Sequence, residues 1–168
     1  MKQLWERILE RGWLRWLLMA LDVILIIVAF YAAWWARYER ELGGVVEIRN
    51  WVPFTAYLSI VLALTALMLA NLRIEGLYKR ERGATWFDEL YAIINGTTTS
   101  ILLVVFFFFF YRPYAFSRLI FAYAAALIVL FLSLARLLLR WWLGTLQREG
   151  IGVTRVLIVG GGETGRTL

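Results

Sequence analysis

Gly160, Gly162 and Gly165 fit the spacing G-x-G-x-x-G and follow directly on the apolar run Val156, Leu157, Ile158, Val159. In such a pattern the first glycine makes a tight turn and the second lets the backbone approach a pyrophosphate. The third allows a helix and a strand to pack closely. The chemistry on offer is the binding of a nucleotide's phosphates. Residues 154–168 are therefore expected to begin a Rossmann-like α/β domain, with its first buried strand and Gly-rich turn. The confirming helix, and an acidic residue about 20 positions on, would follow. The sequence stops at Leu168, so the expectation is a truncated domain whose nucleotide is unknown.

A second set of chemistry-bearing residues sits inside long apolar runs: Asp22, Asn95 and Thr99. Asp22 is the only acid in its run. An ionisable group in lipid is costly, so it marks either a contact within a helix bundle or a contact with a phosphate-linked lipid or an ion. It follows Arg15 by seven residues, about 10 Å along a helix. Asn95 and Thr99 belong to the stretch Asn95-Gly96-Thr97-Thr98-Thr99-Ser100. Small and hydroxyl residues let helices approach and bond across the contact. At helical spacing Asn95 and Thr99 share one face, and Gly96 and Ser100 another. Helix packing is the expected role.

The chain has no cysteine and no histidine. That excludes disulfides, a thiol nucleophile and the usual zinc ligand sets, and it removes the commonest general base. No metal ligands and no catalytic residues are identified, and Glu163 is not an obvious catalytic group.

Membrane spans must position these residues. Hydrophobic residues make up 62% of the 168, against roughly 45–50% in soluble domains. Four stretches, 16–35, 53–72, 91–111 and 116–139, have the length of about 20 apolar residues that crosses a hydrocarbon core. Backbone groups in lipid must be bonded internally, so each is expected to be a helix. The expected fold is an all-α membrane domain at 16–142, four transmembrane helices in an antiparallel bundle. A cytoplasmic linker at 143–153 would lead into the Rossmann-like segment. The link at 112–115 is short enough to force a hairpin between the third and fourth spans. Residues 1–15 mix Leu4, Trp5, Ile8 and Leu9 with Lys2, Glu6, Arg7 and Glu10. That suits an interfacial amphipathic helix or an extension of the first span. The apolar run after Arg15 is too long for a signal peptide, and no small-residue cleavage motif follows it.

The net charge is +6 and the isoelectric point about 10.0. Basic residues cluster beside the apolar runs, so membrane topology accounts for them and no nucleic-acid partner is expected. One side would hold Lys2, Arg7, Arg11, Arg15, Arg73, Lys79, Arg80, Arg82, Arg136, Arg140, Arg148, Arg155 and Arg166. The other would hold Arg37, Arg40, Arg49, Arg112 and Arg118. The positive-inside rule then puts both termini in the cytoplasm. The Gly-rich turn agrees, because nucleotides are cytoplasmic. Trp5, Trp13, Trp16, Trp141 and Trp142 fit interfacial aromatic belts.

The order of these elements, with Glu75-Gly76-Leu77-Tyr78-Lys79-Arg80, Tyr114-Ala115-Phe116-Ser117-Arg118, the exit from Arg136 to Arg140 and the strand at Arg155, carries a resemblance. The chain is similar to the N-terminal part of the bacterial polyprenyl-phosphate sugar-1-phosphate transferases, the large phosphoglycosyl transferases. Phe116 departs from the tyrosine typical before Ser-Arg. The resemblance implies transfer of a sugar-1-phosphate from a nucleotide sugar to polyprenyl (undecaprenyl) phosphate. That step initiates exopolysaccharide, capsule or O-antigen synthesis at the bacterial inner membrane. The partners implied are the lipid bilayer, polyprenyl phosphate and a nucleotide sugar, with a homo-oligomer left open. Magnesium is expected in a further C-terminal catalytic domain. None of that domain's positions occurs here, so no catalytic residue is carried over and this chain alone is expected to be inactive. Membrane-anchored nucleotide-sugar dehydratases and epimerases look similar. An ion channel with a nucleotide-binding regulatory domain also joins spans to such a turn, but no Thr-Val-Gly-Tyr-Gly filter occurs between spans. A purely structural bundle for dimerisation and placement is the remaining alternative.

Overall fold

A computed structural model of the chain describes residues 13–47, 50–78, 85–110 and 117–148. Among these residues there is no strand. The helices are α1 (Trp13–Tyr38), a 3-10 turn (Phe54–Tyr57) that runs into α2 (Leu58–Ile74), α3 (Trp86–Phe110) and α4 (Arg118–Arg148). The expected strand and turn at 154–168, with Gly160, Gly162 and Gly165, lie outside the described residues. So do residues 1–12 of the N-terminal segment and the link at 112–115.

Among the described residues four helices are long and apolar enough to cross a membrane: Arg15–Tyr38, Phe54–Ile74, Trp86–Phe108 and Arg118–Trp142. At most 39% of the apolar stretch of any span is buried in the bundle. In water the rest would have to be polar. Here Ile24, Val28, Leu62, Leu102, Phe107 and Leu130 face outward. Helices apolar on every side are stable where lipid covers the outer faces.

The helices close into a ring, α1 on α2, α2 on α3, α3 on α4 and α4 on α1. Side-chain contacts fix their directions. The start of α1 meets the end of α4 through Asp22 and Arg136, and its end meets the residue preceding α4 through Arg37 and Ser117. Tyr38 at the end of α1 bonds Tyr57 ahead of α2. Asn71 and Glu75, at and just past the end of α2, reach Ser100 and Asn95 of α3. Glu89 at the start of α3 pairs with Arg140 near the end of α4. Each neighbour therefore runs antiparallel to the last, as expected for short connections.

Core positions recur every fourth residue, the spacing that keeps side chains on one helix face. They are Ile26, Phe30 and Trp34 on α1; Ile60, Leu64, Met68 and Leu72 on α2; and Ile120, Ala124, Ile128 and Leu132 on α4. Both stripes that line the α1–α4 contact end in a charge: Asp22 lies four residues before Ile26, and Arg136 four after Leu132.

Local chemistry sets the helix ends. Gly76 has φ +79°. Leu77 N–H bonds Leu72 O at 3.0 Å and Gly76 N–H bonds Arg73 O at 3.2 Å. This is a Schellman cap, which needs a left-handed residue after the helix and finds it in glycine. At the other end of the connection Thr85 and Asp88 form a reciprocal capping box. Thr85 N–H donates to Asp88 Oδ2 at 2.7 Å and Asp88 N–H to Thr85 Oγ1 at 3.3 Å. That box starts α3 at Trp86, ahead of the span expected from 91. α4 likewise passes 139 and continues to Arg148, so the first part of the expected linker at 143–153 is helical. With 31 residues it is about 46 Å long, against roughly 30 Å of hydrocarbon.

At the far end, away from Trp13, the chain leaving α1 folds back over α4. Arg37 Nη1 donates to Gly44 O at 2.6 Å and to Leu42 O at 3.4 Å, and its Nε donates to Ser117 Oγ at 3.2 Å. Gly43 has φ +90° and Gly44 φ +115°. A Cβ on Gly43 would meet Leu119 Cδ1 at 2.7 Å and Tyr123 Oη at 2.8 Å, whereas one on Gly44 would meet open space. Both Gly43→Ala and Gly44→Ala are expected to destabilise by about 1–3 kcal/mol through the backbone alone. Gly43→Ala is expected to lose more, because only it also clashes with α4. Thermal unfolding in detergent checks the order.

Candidate functional site

The buried polar hub at the N-terminal end of the bundle is built from three separate elements. α1 supplies Asp22, 1% exposed; α4 supplies Arg136, 6% exposed; and the connection after α2 supplies Tyr78, 7% exposed. Tyr78 arrives there because the Schellman cap at Gly76 reverses the chain, so the residue after Leu77 turns back toward the bundle.

Both hydrogen bonds to Asp22 land on one oxygen. Arg136 Nη2 donates to Oδ2 at 2.5 Å and Tyr78 Oη donates to the same atom at 2.7 Å. The Arg136 guanidinium carbon also lies 5.7 Å from the centroid of the Tyr78 ring, within cation–π range. Among the described residues, Asp22 Oδ1 and Arg136 Nε are buried without a hydrogen-bond partner. Burial, and then the neighbouring Asp22 carboxylate, push the Tyr78 phenol above its ordinary value, so it stays a protonated donor.

The hub's depth is set by its neighbours. Trp16 precedes Asp22 by six residues and Trp141 follows Arg136 by five. The hub is thus about 8–9 Å inside the exposed tryptophans of that end. A lone charge there would be severely penalised. Paired and hydrogen-bonded, the two charges hold α1 to α4. Arg140, one turn further on, pairs with Glu89 of α3 at 2.9 Å, with the two side chains 36% and 24% exposed. More solvent reaches this pair, so its individual contribution is small.

Asn95 and Thr99 do not join the hub. Gly96, Thr97 and Ser100 face the bundle, while Asn95, Thr98 and Thr99 are exposed on α3. Asn95 Nδ2 donates to Glu75 Oε1 at 2.6 Å. The packing contacts come from the other face: Ser100 Oγ accepts from Asn71 Nδ2 at 2.9 Å. A Cβ on Gly96 would come to 3.2 Å from Leu72 Cδ2, so glycine there lets α2 and α3 approach. The sequence pattern does not mark Arg136 and Tyr78 as partners of Asp22. Their only signals in the sequence are the fourfold spacing from Ile120 to Arg136 and the position of Tyr78 just past a cap glycine.

The described residues thus define an antiparallel four-helix bundle suited to a membrane, tied at one end by a buried carboxylate–guanidinium–phenol cluster. The chain belongs to the CoA_binding_3 family, described as a CoA-binding domain, whose family model matches residues 73–166. That membership suggests a sugar-nucleotide-related protein. No curated protein and no solved structure matches the chain. Asp22 lies outside the matched residues, whereas Tyr78, Glu89, Arg136 and Arg140 lie within them.

Asp22→Asn leaves Arg136 buried and uncompensated, and it is expected to destabilise the bundle by about 3–5 kcal/mol. The double variant Asp22→Asn/Arg136→Gln removes both charges and is expected to recover part of that loss. Unfolding in mixed micelles of increasing SDS content measures both; a double variant no more stable than Asp22→Asn would show that the charge itself is not the cause.

Proposed function

We propose that the chain is the membrane-anchoring part of a sugar transferase that moves a sugar-1-phosphate from a nucleotide sugar to polyprenyl phosphate. The observation that carries this reading is the span of the family match. It runs from Arg73 through α3 and α4 to Arg166, joining two membrane helices and the Gly160–Gly165 segment in one unit. The family is found in polyprenyl-phosphate sugar transferases and nucleotide-sugar enzymes. CoA and nucleoside-diphosphate sugars share a nucleoside diphosphate, the group that a Gly-rich turn is suited to hold.

In this reading the hub end faces the cytoplasm. Arg15, Arg73, Arg136 and Arg140 lie at that end, and Arg37, Arg40 and Arg118 at the other; the retained excess of positive charge sits inside. The catalytic groups and their magnesium belong to a separate C-terminal domain of the transferase. The bundle holds that machinery at the bilayer, where a water-soluble donor meets a lipid acceptor. Anchoring a nucleotide-sugar dehydratase or epimerase is the second reading, favoured by the family's occurrence in nucleotide-sugar enzymes as well.

Membranes containing the full-length transferase, with its C-terminal catalytic domain, are expected to convert a radiolabelled nucleotide sugar and undecaprenyl phosphate into an organic-soluble sugar diphospholipid. Nucleoside monophosphate should be released, and chelation of magnesium should abolish the reaction. A water-soluble keto or epimerised nucleotide sugar, with no lipid product, would move the assignment to the second reading. Orientation is testable separately, since the chain has no native cysteine. Val45→Cys is expected to react with a membrane-impermeant maleimide in intact cells, and Gln147→Cys only after lysis.

A further inference from the structure

The hub contains a donor and an acceptor that complement each other and that the protein leaves apart. An arginine presents Nε–H and one Nη2–H side by side, and a carboxylate can accept both, one on each oxygen. Here Arg136 Nη2 reaches Asp22 Oδ2 at 2.5 Å, and Tyr78 Oη donates to that same oxygen at 2.7 Å. Oδ2 therefore accepts twice. Among the described residues its twin Oδ1 accepts from nothing and Arg136 Nε donates to nothing, although both atoms are buried. The two side chains are 1% and 7% exposed, so bulk solvent does not satisfy them.

We infer that this half-open fork is a binding site for a single internal water, which accepts from Arg136 Nε–H and donates to Asp22 Oδ1. Only a group that both accepts and donates can serve these two atoms, and water is the smallest that does both. The protein supplies one donor and one acceptor, both charged, and buried waters are held by two to four polar partners of this kind. Tyr78 also donates to Oδ2, from the connection that follows α2. The bundle then carries a hydrated charge pair beneath its tryptophan belt. The water belongs to the hub as structurally as the side chains do, and it relieves the two charges of the unmet bonds that apolar surroundings would penalise.

The test is proton-detected NMR on the whole chain in lipid nanodiscs, with 15N at arginine Nε. The Arg136 signal is identified by its loss in Arg136→Lys; should that variant fail to insert, the signal that shifts in Tyr78→Phe identifies it instead. The expected result is a through-space cross-peak between Arg136 Nε–H and water that survives when detergent or lipid protons are suppressed. It should persist in Asp22→Glu. An Nε–H with no water cross-peak and slow exchange would mean a dry fork closed on both carboxylate oxygens, and would overturn the assignment.

Discussion

A carboxylate and a guanidinium buried together in apolar surroundings impose one condition on the whole bundle: both must be present, and both must be bonded, at the same time. Asp22 and Arg136 are 114 residues apart in sequence. Satisfying either one requires that α1 and α4 be inserted, antiparallel and in register. A shift of either helix by one residue would rotate its charge by about 100° off the shared face and into lipid. Apolar contacts alone are weaker arbiters of register in lipid, where the competing solvent is as apolar as the helix. The pair therefore specifies the bundle more than it stabilises it. Its net energy against two apolar residues can be near zero.

The connection between α2 and α3 is drawn into the same condition. Gly76 ends α2 in a way that returns the chain to the bundle, and the Thr85–Asp88 box restarts the helix at Trp86. Between them Tyr78 gives its hydroxyl to Asp22 and its ring face to Arg136. A loop that would otherwise only join two helices becomes part of the core, and α2 is tied to the α1–α4 pair by the residue just beyond its own cap. The far end is organised by different means. Trp34 Nε1 donates to Val52 O at 3.0 Å, Tyr38 and Tyr57 share a hydrogen bond at 3.1 Å, and Arg37 gathers the carbonyls of the returning loop.

The positions of the spans were legible because lipid imposes a length and forbids unbonded backbone, and long apolar runs record both. Which face of each helix turns inward was not legible. In a soluble helix polar residues mark the outside, but Ile24 and Ile26 are chemically identical here, one exposed and the other fully buried. Asp22 stood out because it is alone in its run. Its partner did not, because Arg136 sits where a span is expected to end, and the positive-inside rule absorbs a charge there without asking what it touches. Tyr78 was legible only as part of Glu75 to Arg80, since nothing in that stretch announces that the chain doubles back. The composition of the hydroxyl-rich turn of α3 predicts a packing surface. Gly96 and Ser100 make that contact, while Thr99 on the adjacent face is exposed, because one turn of helix presents both faces and composition does not say which is which.

The way α4 leaves the bundle connects the hub to the proposed role. The helix continues unbroken past Trp141 and Trp142 to Arg148. Two attachments one turn apart hold it there, Arg136 to α1 and Arg140 to α3. A single contact would leave a helix free to swivel about it. The buried Arg136 contact sets the rotation of the helix, and the more exposed Arg140–Glu89 pair adds a weaker bias on its tilt. Transfer between a soluble nucleotide sugar and a lipid phosphate can take place only where the two phases meet. An anchor for that reaction has to set distance from the bilayer as much as attachment to it. An exit helix held just beneath the tryptophan belt meets that requirement, whereas a flexible linker in the same place would not.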